Sequence, residues 1–163
     1  MKNPLNEIVQ EFRNSQARSR IEGIETMLTI PQYRDHARKL LQTIEVTDMS
    51  LENKFSVYFL KARYHHLCFT ESKDVEHLEL ANNFMDHVFT KAALVCIPIT
   101  DLDYHFAYAN IKRALARHTQ SDLQRNRLTS EAEIITDDIL EKHPDNADFL
   151  WLKQELSETQ VED

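Results

Sequence analysis

Residues 51–69 read LENKFSVYFLKARYHHLCF. At helical period, Phe55, Phe59, Ala62, His66 and Phe69 fall on one stripe, and Val57, Leu60, Tyr64 and Leu67 fall on another. A helix apolar on two faces has no side to give to water, so this one is expected between neighbours. Ser50, just ahead of Leu51 and with Asn53 three residues on, supplies the N-cap.

The same period continues downstream. Leu78, Ala81, Met85, Val88 and Ala92 make a broad stripe in residues 75–93, with Phe84 and Phe89 beside it, so this segment is expected to be central too. Tyr104, Tyr108, Ile111 and Leu115 form a narrower stripe, and Ile134, Ile135, Ile139 and Leu140 are expected on the core side of a helix over about 122–142. A last segment, 147–156, carries Phe149, Leu150, Trp151 and Leu152 in succession, with Trp151 expected mostly buried.

Breaks between these segments fall at Pro and short polar groups: Thr29–Pro31, Val46–Asp48, Thr70–Lys73, Ile97–Thr100, Thr119–Ser121 and His143–Asp145. Thr100 with Asp101 and Asp103, and Ser121 with Asp122, read as helix starts, and Pro31 and Pro98 suit a first turn or the residue before it. One glycine and four prolines in 163 residues leave almost nothing for hairpin turns or flexible linkers. The expectation is an all-α chain of about seven helices. Short connections pair consecutive helices as antiparallel hairpins, in a single domain over 1–156 with a polar, fraying tail at 157–163.

Ala132, Thr136, Ile139 and Pro144 reproduce the second-helix spacing of a tetratricopeptide repeat, and Asp145-Asn146-Ala147 then leads towards Trp151 as a next first helix would begin. Fainter echoes run through Ala81, Met85 and Val88 and through Ala37, Leu41 and Ile44, while Ala62 and Ala109 recur in the first helices. On these residues the chain resembles the tetratricopeptide-repeat superfamily. It departs from it in its longer spacings and in lacking the first-helix glycine. The resemblance implies small residues where helices cross closely, and either a right-handed stack of hairpins or a closed bundle.

Charge is unevenly placed. The formal net charge is −8, yet residues 128–163 hold eleven acidic residues against only Lys142 and Lys153. Lys112, Arg113, Arg117, Arg125 and Arg127 form a basic cluster just ahead of that segment, which reads more readily as a salt-laced helix pair than as a polyanion patch. The neighbouring acidic segment disfavours direct nucleic-acid binding. Glu7 and Glu11 interrupt the modest apolar stretch of the N-terminus, and no uncharged run approaches bilayer length, so the expectation is a cytoplasmic protein that does not insert in a membrane. Cys68 and Cys96 lie in apolar surroundings and are expected to act as small hydrophobes.

Candidate chemistry is sparse. No metal and no cofactor is called for: His65 and His66 diverge by about 100° on a helix, no glutamate stands three residues before any histidine, and the single glycine, Gly23, excludes a phosphate-binding loop. Arg113 and His118 resemble the arginine–histidine pair of the HEPN family of helical ribonucleases, which implies phosphate binding by the guanidinium and proton transfer by the imidazole. Ten arginines, eight histidines and three permitted spacings give about 1.5 such matches by chance, and Ala114 stands where that family commonly has a polar residue. The reading preferred is a non-catalytic module that binds a protein or peptide in a groove formed by first helices. Its candidate contacts are Tyr58, Tyr64 and His65 on one helix and Tyr104, Tyr108, Lys112, Arg113 and Arg117 on another. The alternatives are the ribonuclease, using Arg113 and His118, and a small regulator acting through its acidic C-terminal segment. All three readings are compatible with a homo-oligomer.

Overall fold

In the computed structural model, which describes residues 4–159, the chain is helical almost throughout: α1 (Pro4–Thr29), a 3₁₀ turn (Pro31–Tyr33), α2 (Arg34–Thr43), α3 (Leu51–Ser72), α4 (Val75–Leu94), α5 (Leu102–His118), α6 (Asp122–Lys142) and α7 (Ala147–Thr159). No strand occurs among the described residues. Among the described residues the all-α expectation and its seven helices are what the structure shows. Ser157 and Glu158 continue α7, and the rest of the expected tail beyond Thr159 lies outside the described residues.

Caps explain most of the boundaries. Ser50 Oγ accepts from the Asn53 amide at 3.2 Å and Ser121 Oγ from the Gln124 amide at 3.3 Å. The start of α5 is capped by Asp101, which accepts from the Asp103 amide, rather than by Thr100 one residue earlier. Asp74 caps α4, and Asn146 Oδ1 accepts from the first amides of α7. The ends of α3 and α4 instead use left-handed residues, Lys73 at φ 58° and Cys96 at φ 55°. At the latter, the Ile97 amide reaches back to the Ala92 carbonyl, a closing turn in which glycine usually sits. Cys96 is therefore exposed at a turn, contrary to the expectation that it packs as a hydrophobe.

The chain divides within α3 into two compact units, Met1–Tyr64 and His65–Asp163. In the first, α1 packs on the 3₁₀ turn and α2, with Ile21, Ile24, Leu28, Ala37 and Leu41 buried. A polar clasp ties α1 to the start of α3. Asn14 Oδ1 accepts from the Ser50 amide, and the buried Asn53 donates to the Asn14 carbonyl.

In the second unit consecutive helices pack together, α4 on α5, α5 on α6 and α6 on α7, and α5 also packs on α7. Side-chain pairs give the directions. Asp86–Lys112 and Phe89–His105 run antiparallel between α4 and α5, whereas Phe106–Phe149 and Arg113–Glu155 advance together, so α5 and α7 are parallel. The core stripe of α4 is as expected: Leu78, Ala81, Met85, Val88 and Ala92 are all buried. Ala109 and Ala132 are fully buried beside Ile139, Phe149, Leu152 and Leu156. Small residues at these positions let the helix axes approach.

Two core expectations fail for one reason. Consecutive residues on a helix point about 100° apart, so a run of apolar residues cannot all face one side. Phe149, Leu152 and Leu156 take the core face of α7, leaving Trp151 42% exposed beside Phe106. Ile139 is buried and Ile135 packs against the core, leaving Ile134 exposed.

Candidate functional site

The candidate contact residues on α5 divide between two of its faces. Lys112, expected as a partner contact in a groove of first helices, is instead buried, and its Nζ lies 2.7 Å from Glu131 of α6 and 3.4 Å from Asp86 of α4. It also sits 4.3 Å from the Tyr108 ring centroid, and Phe89 stacks on the other partner of that contact, the Tyr108 ring, at 4.6 Å. The Tyr108 hydroxyl donates to Asp86, which also accepts from Asn82 Nδ2 at 3.1 Å. Burial, and then the Asp86 carboxylate, push the Tyr108 hydroxyl far above its ordinary pKa, so it stays protonated and a donor. Burial alone would raise Glu131, but hydrogen bonds from Lys112 and Arg127 outweigh it and hold the carboxyl below its usual range. Asn82 Oδ1 is buried with no partner among the described residues. This is a cross-link of three helices in which both carboxylates already have cations.

One hundred degrees round α5, Arg113 turns to α7. Its Nε and one Nη bond Asn110 Oδ1 at 3.0 and 2.9 Å, the other Nη bonds Glu155 at 3.0 Å, and the guanidinium lies 4.9 Å from the Trp151 ring centroid. Arg117 shares the same Glu155 oxygen at 2.9 Å. Burial and then Arg117 lower the Arg113 pKa, with Glu155 opposing. Burial and then Arg113 lower that of His66 on α3. The basic cluster is thus largely paired with carboxylates, as a salt-laced helix pair would be: Arg113 keeps only 12% of its side chain accessible, Arg125 pairs with Asp122, and Arg127 pairs with Glu131.

The remaining candidates are placed separately. Tyr104 is half-buried on α5, and Tyr58 and Tyr64 are half-buried in the first unit, where Lys61 lies over the Tyr58 ring. His65 meets His77 of α4, Nδ1 to Nδ1 at 3.0 Å, with ring centroids 5.3 Å apart. That centroid distance is the nitrogen separation plus about one ring radius at each end, so the rings meet end to end and one donates to the other. Arg113 and His118 diverge, since His118 packs edge-on against Phe69 of α3 at 5.0 Å while Arg113 is held by Asn110 and Glu155.

One surface was not singled out by the sequence reading. Leu5, Ile8, Val9 and Phe12 are 63%, 64%, 41% and 63% exposed, and they form an i, i+3, i+4, i+7 stripe on the first turns of α1. The buried residues of α1 are Ala17, Ile21, Ile24 and Leu28. At 100° per residue the two sets are centred about 140° apart, so the first stripe is not an extension of the core face. Beside it opens a cleft of about 600 Å³ whose lining includes Arg13, Gln16, Arg20, Glu45, Asp48 and Met49. The signal was legible as two apolar registers in one helix, masked by Glu7 and Glu11 between them.

No family model, no curated protein and no solved structure matches the chain. No helix among the described residues is long and apolar enough to cross a membrane.

Proposed function

We propose that this protein is a non-catalytic, tetratricopeptide-like module that binds another protein, and that it does so through the first turns of α1. The observation that carries the reading is the second apolar face of that helix. Ile8, Val9 and Phe12 point away from the residues that hold α1 to its own unit. A surface helix needs one apolar stripe, and a second, uncovered one marks an interaction site. The groove first expected on α5 supports binding less well, because Lys112, Arg113 and Arg117 already have carboxylate partners. The parallel α5 and α7, and the buried Ala109 of α5 and Ala132 of α6 in the core they share, support the repeat-like description.

A photo-crosslinking residue in place of Phe12 tests this, with one in place of the exposed Glu79 of α4 as control. The expected result is a discrete crosslinked protein from position 12 alone, competed away by excess unmodified chain and not by the Ile8→Glu/Phe12→Glu variant. Equal labelling from both positions, or competition by that variant, would reject the reading.

A further inference from the structure

Resting on that reading, we infer that the α1 face takes a single amphipathic helix whose flank is acidic. Counting 100° per residue from Leu5, the exposed face continues through Gln16 to Arg20 and Arg13, which lie one above the other about two turns apart along one edge. Both arginines are exposed. Neither forms an ion pair among the described residues, in contrast to Arg18, which approaches Glu52, and Arg63, which bonds Glu25. Glu45 and Asp48 line the same cleft as Arg13 and Arg20 without closing on them. Glu7 and Glu11 lie towards the back of the helix, more than 100° from the centre of the stripe.

The apolar stripe is therefore edged on one side by two open guanidiniums. A partner helix that lays its own apolar stripe on Ile8, Val9 and Phe12 brings one flank over Arg13 and Arg20, where carboxylates gain and ammonium groups are repelled. The area decides against a stable pair of whole domains. Four residues expose a few hundred Å², which suits one docked helix and is about half of the roughly 800 Å² that each partner of a standard interface buries.

The test uses the full chain and two dye-labelled, helix-stapled peptides with the same leucine stripe, one flanked by glutamates and its twin by lysines. Anisotropy titrations at low salt should show the glutamate peptide binding at least tenfold more tightly than the lysine twin, with affinity falling as salt is raised. Phe12→Glu should abolish that binding. Arg13→Glu/Arg20→Glu should reverse the preference between the twins, which loss of folding could not do, and circular dichroism checks that each variant keeps its helix content. Equal or tighter binding of the lysine twin, or binding indifferent to Phe12→Glu, overturns the inference. So does a concentration-dependent dimer in sedimentation equilibrium that Phe12→Glu dissociates, since the face then belongs to a second copy. If neither peptide binds while position 12 still crosslinks a protein in the competed assay, protein binding stands and the acidic helix is rejected.

Discussion

The two units handle charge in opposite ways. Residues 65–163 carry nine basic residues against nineteen acidic, and residues 1–64 carry ten against eight. In the acidic unit every member of the α5–α6 basic cluster is matched: Lys112 and Arg127 to Glu131, Arg113 and Arg117 to Glu155, and Arg125 to Asp122. Lys112, Arg113 and Arg117 bind helix to helix, while Arg125 and Arg127 close along α6 itself. In the slightly basic unit Arg13 and Arg20 stay open beside an apolar face. Charges that close on neighbouring helices fix a structure, and charges left beside exposed hydrophobics select a partner.

The largest effect should come from emptying the second unit's core. Phe149→Ala is expected to cost about 3–5 kcal/mol, and amide hydrogen exchange should register the loss in α4–α7 well before α1 and α2. Equal loss of protection in α1 and α2 would merge the two units into one cooperative body. Ala132→Leu, at a fully buried position, should cost about 1–3 kcal/mol by overpacking where α6 meets its neighbours. A neutral result in denaturant titration would remove the claim of a close crossing.

Acidification sharpens the contrast further. His66 has a folded pKa below its unfolded value, because burial and Arg113 disfavour the cation. Its contribution is thus complete above about pH 6.5 and is lost as pH falls from there towards the folded value. Glu131, also depressed, contributes above the ordinary carboxylate range and loses its share below it. Both groups lie in the second unit, but only His66 acts between about pH 7.5 and 5.5; lowering the pH over that window should weaken α4–α7 more than α1–α2, Glu131 should add its loss only below about pH 4.5, and His66→Gln should flatten the first step. An unchanged pH profile in the variant would assign the effect elsewhere.

The smallest effect belongs to the first unit. A Cβ on Gly23 would meet nothing within 4 Å, so Gly23→Ala in the middle of α1 should stabilise by about 0.5–1 kcal/mol through helix propensity alone. Destabilisation in thermal melts would mean that something packs on α1 at that point.

Helix number, helix boundaries and the central stripes were legible because they depend on neighbours in the chain. The period of Leu78, Ala81, Met85, Val88 and Ala92, the caps at Ser50 and Ser121 and the scarcity of glycine each act within a turn or two. Ala81, Ala109 and Ala132 could even be read as crossing points before any crossing was seen.

What the sequence by itself determined is therefore the set of helices and which residues each offers to a core. Only the tertiary structure decided which offers were taken. Lys112 looked like a surface charge until α4 and α6 delivered Asp86 and Glu131 to its ammonium group, and Arg113 until α7 delivered Glu155. Trp151 lost its place to Phe149 and Leu152 because α7 meets the core along a single line. The stripe on α1 stayed bare because the core-facing residues of that helix lie about 140° round it. Periodicity is a property of one helix, whereas burial and ion pairing need a second helix whose position no local signal specifies.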